Sequence, residues 1–300
     1  MKIDAVFEGG GVKGIGFVGA IQAFEQQGFR WNRVAGTSAG AIIAGLLAAG
    51  FTAEELRQLM KEFNYVALQK KQGIARIPFI GPWVNLWVCK GMYTGDYLYK
   101  WVEKQLRRKN VCTFGDLPAG SLKIIASDIT DGRLLVIPDD LDKIGYDPST
   151  FSVALAIRMS ASLPFYLQPV ILKNGNAPVY IVDGGILSKF PLWIFGENTE
   201  LDYPTIGFRL SAGYEAEPYP ISNFPDYVHA MLRTMMQAHD QRYVEKQHAA
   251  RTVFIPTDGI STTKFDLTEE ERDWLYESGN EAAHDFFTRL PALRKKRKTS

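Results

Sequence analysis

Residues 33–49 read RVAGTSAGAIIAGLLAA. Arg33 to Ala35 has the composition of a short strand and Ala39 to Ala49 that of an apolar core helix. Between them stands Gly36-Thr37-Ser38-Ala39-Gly40, a G-x-S-x-G. At a strand-to-helix junction this is the form of a nucleophile elbow. The glycines permit a tight turn and leave the serine hydroxyl standing at the carboxyl edge of a sheet. Thr37 and Ala39 are small enough not to block a substrate there. The plainer alternative is that Ser38 merely caps the following helix.

Toward the N-terminus, Lys2 to Phe7 is a second short apolar strand. A helix-spaced run from Val12 stops at Gly28. The junction is Gly9-Gly10-Gly11-Val12-Lys13-Gly14. Consecutive glycines let backbone amides approach a ligand, and the helix behind them adds positive charge at its N-terminus. The loop therefore suits an anion, either a phosphate or the transient oxyanion of an acyl transfer. It also spells G-x-G-x-x-G, but a dinucleotide site wants an acidic residue at the end of the second strand. Here that strand runs straight into Gly36-Thr37-Ser38, which weakens the nucleotide reading. Glycines serving only tight strand–helix packing are the structural alternative.

The rest of the chain continues the alternation. Thr52 with Glu55 forms a capping box ahead of a helix from Ala53 to Phe63. Helices are expected at Asp96 to Arg108 and Phe151 to Ser160. Strands are expected at Leu122 to Ser127 and Arg133 to Ile137, around an Asp131-Gly132 turn. A strand pair ends at Tyr180 to Val182, and further strands fall at Pro204 to Leu210 and Val253 to Ile255. A long amphipathic helix is expected from Asp226 to Ala250, and a last one, capped by Thr268 and Glu271, reaches about Leu290. This order predicts an α/β fold, a mostly parallel central sheet with helices on both faces. Residues 1–290 read as one domain and 291–300 as a basic, flexible tail. Tyr65 to Gly95 is rich in Gly, Pro and aromatics without a clean period. It suits a lid, an interfacial wedge or a local core.

A serine needs a base. The four histidines, His229, His239, His248 and His284, all fall within expected helices, away from the carboxyl-edge loops where a triad histidine rides. Asp183 suits the role better, because it ends a strand and precedes Gly184 and Gly185. Asp128 is placed similarly and is the rival, although capping its own turn would explain it. Burial would raise an aspartate's pKa and make it a competent proton acceptor.

Composition narrows the classes. The chain of 300 residues is 46% hydrophobic and 22% charged, which excludes a disordered or coiled-coil protein. A net charge of +1 provides no field for gathering nucleic acid, so no such partner is expected. Cys89 and Cys112 make neither a disulfide framework nor a zinc site, and no calcium loop occurs. No metal and no cofactor are expected. The N-terminus turns acidic and Gly-rich before a signal-peptide core develops, and Ala39 to Gly50 falls short of the roughly 20 residues of a bilayer span. A cytoplasmic protein is expected, with peripheral contact to anionic lipid open to the basic tail Arg294 to Lys298.

Taken together, the Gly-rich stretch at 9–14, Gly-Thr-Ser-Ala-Gly at 36–40 and Asp-Gly-Gly at 183–185 resemble the three signatures of patatin-like phospholipases. Arg158 to Pro164 (RMSASLP), Tyr93-Thr94-Gly95-Asp96 and Phe114-Gly115-Asp116-Leu117 extend the likeness. The resemblance implies a three-layer fold and a Ser–Asp dyad, without histidine, acting on acyl lipids. Ser38 would be the nucleophile and Asp183 the base. The amides of Gly10 and Gly11 would form the oxyanion hole, and Lys13 occupies the family's Arg/Lys position. Gly9, Gly14, Gly36, Gly40, Gly184 and Gly185 support those turns. One departure stands out: Lys189 precedes Phe190-Pro191 where the family often carries asparagine. A serine esterase using histidine and a non-catalytic phosphate-binding protein remain the alternatives.

Overall fold

The computed structural model describes residues 1–69, 81–175, 177–196, 203–211 and 249–289, with a few positions between 221 and 234. Its centre is a mixed, mostly parallel sheet. The strands are β1 (Lys2–Phe7), β2 (Arg30–Thr37), β4 (Leu122–Asp128), β5 (Arg133–Ile137), β7 (Val170–Asn174), β8 (Ala177–Asp183), β9 (Thr205–Ser211) and β10 (Thr252–Pro256). They run in the order β10-β9-β1-β2-β4-β8-β7, with β5 added on β4. The strands from β10 to β4 pair in parallel, whereas β5, β7 and β8 pair antiparallel. A separate two-stranded sheet joins β3 (Gly91–Tyr93) to β6 (Phe165–Leu167).

Alternation along β1 decides its two faces. Ile3, Ala5 and Phe7 enter the large core, which also holds α1 (Ile15–Gln26), α2 (Ala39–Ala48), α3 (Ala53–Glu62), α5 (Asp96–Arg108), α6 (Val153–Ser160) and α7 (Glu269–Arg289). Val6 turns the other way and meets Ala35, Ile125, Leu192, Ile194 and Phe195 in a second cluster. Phe24 of α1 packs at 5.2 Å on Phe208 of β9 and at 4.6 Å on Phe287 of α7. Aromatic pairs of this kind contribute roughly 0.5–1.5 kcal/mol beyond their buried area. They lock α1, and so the glycine loop at its start, against the far end of the chain.

Both expected capping boxes form, at Thr52 with Glu55 and at Thr268 with Glu271. The 65–95 stretch departs from a plain loop: its described part contains a short 3-10 turn at Tyr65–Gln69, a helix α4 (Gly81–Cys89) and β3. Trp87 and Val88 of α4 stand in solvent, and none of its described side chains is fully buried, so they show no buried stripe to reveal its period. Most of the expected 226–250 helix and all of the 291–300 tail lie outside the described residues. Among those described, no helix is long and apolar enough to cross a membrane.

One junction in the sheet positions everything that follows. β2 runs along β4 only as far as the pairing of Thr37 with Ile125. β8 then occupies the continuation of the same β4 edge from the opposite direction, beginning with Asp183 opposite Ala126. The other edge of β4 is filled by β5. The carboxyl ends of β2 and β8 therefore meet head to head, one residue step apart on β4.

Candidate active site

Ser38 occupies the sharp turn between β2 and α2, with φ 55° and ψ −121°. A non-glycine residue in that region is strained and persists only when its surroundings impose it. Its N–H donates to Ser160 Oγ at 2.9 Å, and the Ser160 hydroxyl in turn donates to the Ile125 carbonyl. The first turn of α2 closes on the Ser38 carbonyl through the amides of Ala41 and Ile42. No side-chain capping bond runs from Ser38 to the helix, so the capping alternative has no geometric support. The neighbouring glycines are there for close approach. A Cβ on Gly40 would stand 2.3 Å from the Phe7 carbonyl oxygen, and one on Gly36 would stand 2.2 Å from that of Gly40.

Asp183 closes β8 and is buried. Its N–H donates to the Ser162 carbonyl at 2.9 Å, and its Oδ1 accepts the Gly185 N–H at 2.7 Å. Gly184 lies over the β4 backbone, where a Cβ would stand 2.3 Å from the Ile125 carbonyl oxygen and clash with it. Burial pushes the carboxyl group up to about 6, while the Ser38 side chain, the Gly185 amide and the Lys189 charge each favour the carboxylate. Asp128 is engaged otherwise. It accepts from the amides of Thr130 and Asp131 and from Arg133 Nε, at 2.9, 3.2 and 3.0 Å, and so holds the β4–β5 turn. Of the two strand-end aspartates, Asp183 is the one brought to Ser38.

The glycine loop lies against the same turn. A Cβ on Gly9 would stand 3.3 Å from Ser38 Cβ, and one on Gly14 would stand 3.2 Å from Ala39 Cβ. The Gly9 amide is spent on the Lys189 carbonyl at 2.9 Å. The amides of Gly10 and Gly11 have no acceptor among the described residues. Gly11 adopts φ +55°, and a Cβ there would strike the Thr262 carbonyl at 2.2 Å. That carbonyl also accepts from Val12 N–H at 3.2 Å. Lys13 Nζ donates to Thr257 Oγ1 at 3.2 Å, which pins the loop to the turn after β10. A hydroxyl, a desolvated carboxyl group and two unspent amides at a helix N-terminus make an arrangement suited to acyl transfer.

The one described histidine stays apart from Ser38. His284, the histidine among the described residues, is exposed on α7 beside Phe287. His229, His239 and His248 lie outside the described residues. No group of three His, Cys, Asp or Glu side chains that would hold a metal occurs among the described residues.

Sequence reasoning gave no role to four supporting side chains. Ser160 holds the Ser38 amide. Arg158, buried at the end of α6, donates to Ser162 Oγ and to the carbonyls of Thr94 and Gln168, the latter two at 2.6 and 2.7 Å. Burial draws its guanidinium down to about 10. Glu8 and Lys189 form an ion pair at 2.9 Å beside the glycine loop. The RMSASLP stretch and the acidic residue directly before Gly9 were the available signals. Their partners lie far away in sequence.

The family described as patatin-like phospholipase matches residues 5–195. The chain is 41% identical over 281 residues to uncharacterized protein YqhO of Bacillus subtilis, covering 93% of this chain and 96% of that one. It is 23% identical over 200 residues to a probable lipid hydrolase of Invertebrate iridescent virus 6, covering 62% of this chain and 61% of that one. Among solved structures, VipD from Legionella pneumophila shares the fold, with a TM-score of 0.56 at 19% identity. That match covers 95% of this chain and 66% of VipD.

Proposed function

Since the chain belongs to the patatin-like phospholipase family, we propose that it is a serine acyl hydrolase cleaving carboxylic esters of phospholipids or related acyl lipids on a Ser38–Asp183 dyad. The observation that carries this reading is the head-to-head meeting of β2 and β8 on β4, which brings a buried, raised-pKa carboxyl group to the elbow serine.

In the first half-reaction, ionised Asp183 accepts the Ser38 proton as Oγ attacks the ester carbonyl carbon. The negative oxygen of the tetrahedral intermediate is held by the Gly10 and Gly11 amides. Collapse breaks the bond to the alcohol or lysolipid, which leaves with the proton from Asp183. In the second, Asp183 takes a proton from water as that water attacks acyl-Ser38. The fatty acid departs and the proton returns to Ser38 Oγ. A positioned base contributes typically about 100- to 10,000-fold to rate, and each oxyanion donor about 100- to 1000-fold. Trp87 and Val88, exposed on α4, are the surface at which peripheral contact with a lipid layer is proposed.

Hydrolysis of a chromogenic acyl ester and labelling by a fluorophosphonate test the reading. Ser38→Ala abolishes both. Asp183→Asn abolishes hydrolysis, whereas Asp128→Asn retains it wherever the chain folds. Full turnover in Asp183→Asn overturns the dyad. An unlabelled wild-type Ser38 returns the glycine loop to simple anion binding.

A further inference from the structure

Ser38, Asp183 and the glycine loop come from three separate parts of the chain, and one two-residue segment, Ser188-Lys189, bonds to Thr37 before Ser38, to Gly184 after Asp183 and to Gly9 of the loop. The Ser188 carbonyl accepts the Thr37 hydroxyl at 3.0 Å, which ties the segment to the residue before Ser38. The Lys189 carbonyl accepts the Gly9 amide at 2.9 Å. The Lys189 stem passes beside Gly9, its Cγ 3.6 Å from where a Cβ would stand, and Nζ reaches Glu8 Oε1 at 2.9 Å. Glu8 directly precedes the glycine loop and is fully buried. Its second oxygen accepts the Leu210 amide at 2.6 Å, and Arg209 Nε stands 3.6 Å from the first. A buried carboxylate is tolerated when it is paired and hydrogen-bonded. Here a pairing cation comes from the segment that follows Asp183.

We propose that Lys189 is a positioning residue, clamping the oxyanion loop to the Asp183 loop through its ion pair with Glu8 and so holding nucleophile, base and amides in one register. The inference rests on the acyl-hydrolase reading above. It assigns a task to the lysine that stands where the resemblance leads one to expect asparagine. The clamp is also electrostatic. Asp183 is faced by the Ser38 side chain, the Gly185 amide and the Lys189 charge, and Lys189 is partly offset by Glu8, which Arg209 also approaches. Lys13 is turned to Thr257.

The test is the pH dependence of kcat and KM on a short-chain acyl ester for wild type, Lys189→Met, Lys189→Arg and Glu8→Gln. A misplacement of about 1 Å at a reacting centre can cost about 100-fold in rate. Lys189→Met is expected to lower kcat about 10- to 100-fold with KM within about twofold. Its acidic limb moves to higher pH, because a cation favouring ionised Asp183 is gone. Glu8→Gln moves the limb to lower pH, because the Lys189 charge then acts unopposed. Lys189→Arg keeps the charge and restores the wild-type limb.

Residues serving packing alone would lower yield and kcat without moving the limb in opposite directions. An unmoved limb in Lys189→Met, or shifts of the same sign in both variants, overturns the proposal. Where Lys189→Met does not fold, Glu8→Gln decides by the same criterion. Absence of turnover in wild type defeats the hydrolase reading and this inference with it. Turnover with unmoved limbs removes only the role given to Lys189.

Discussion

Thr37 and Asp183 stand opposite consecutive residues of one strand, Thr37 against Ile125 and Asp183 against Ala126. Residues adjacent along a strand are about 3.3 Å apart. This register therefore delivers the Asp183 carboxyl group to the hydroxyl that follows Thr37. Parallel β2 and antiparallel β8 share one edge of β4. The site forms where the first ends and the second arrives.

The pH profile should report Asp183. Its carboxyl group is raised from 3.8 to about 6, mainly by burial. A base must be ionised, so kcat/KM is expected to climb with pH through about 6 and level off above it. A limb centred near 4 would show that a solvated carboxylate is acting instead.

The same shift has a stability consequence of defined sign. The folded chain holds the Asp183 proton more tightly than the unfolded chain, so folding loses stability as pH rises from below 4 to above 6. Asp183→Asn escapes that loss. Its advantage in thermal midpoint should be absent near pH 4 and grow toward pH 7. The ceiling is on the order of 3 kcal/mol, from about two pKa units at about 1.4 kcal/mol each. An advantage independent of pH would contradict the assignment.

Ser160 should matter for both activity and stability without touching substrate. Ser160→Ala leaves the Ser38 amide and the Ile125 carbonyl without their partner. An unmade buried hydrogen bond costs about 1–3 kcal/mol. Denaturant unfolding should show that loss, and kcat should fall about 10-fold or more as the elbow relaxes, with KM little changed.

Arg158→Met tests the support beneath Asp183. It strands the carbonyls of Thr94 and Gln168 and removes one donor from the hydroxyl of Ser162, a residue whose backbone carbonyl anchors the Asp183 amide. A loss of about 2–4 kcal/mol is expected, read as a lower urea midpoint at unchanged slope.

Two glycines make a paired control. Gly40→Ala drives a methyl group onto the Phe7 carbonyl and should cost at least about 1–3 kcal/mol together with activity. Gly120→Ala meets nothing within 4 Å and carries only the strain of φ +70°. It should cost about 1 kcal/mol and leave kcat unchanged.

Much of this site was legible before any folding was considered, because elbows are local. Gly36 to Gly40 and Gly9 to Gly14 announce their turns by composition and by the strand and helix signals on either side. The contributions of Ser160, Arg158, Glu8 and Lys189 were not legible in that way. Each acts through a carbonyl, amide or charge contributed by a distant segment, and a hydrogen bond made across the fold leaves no periodic trace. The helix α4 escaped notice for a related reason: its exposed Trp87 and Val88 break the pattern that burial would have imposed.

The sequence by itself determined the alternation of strands and helices, the two glycine turns, and the short list of hydroxyl and carboxyl groups able to react. Backbone sterics and hydrophobic period act over a few residues, and a reader of the chain can follow them. Only the tertiary structure decided that Asp183 rather than Asp128 stands beside Ser38. Both end strands before a turn and both are buried. What separates them is which strand end fills the β4 edge beyond β2. That pairing is settled by burial and edge hydrogen bonds across the whole sheet, and it leaves Asp128 tied to Arg133 within its own turn.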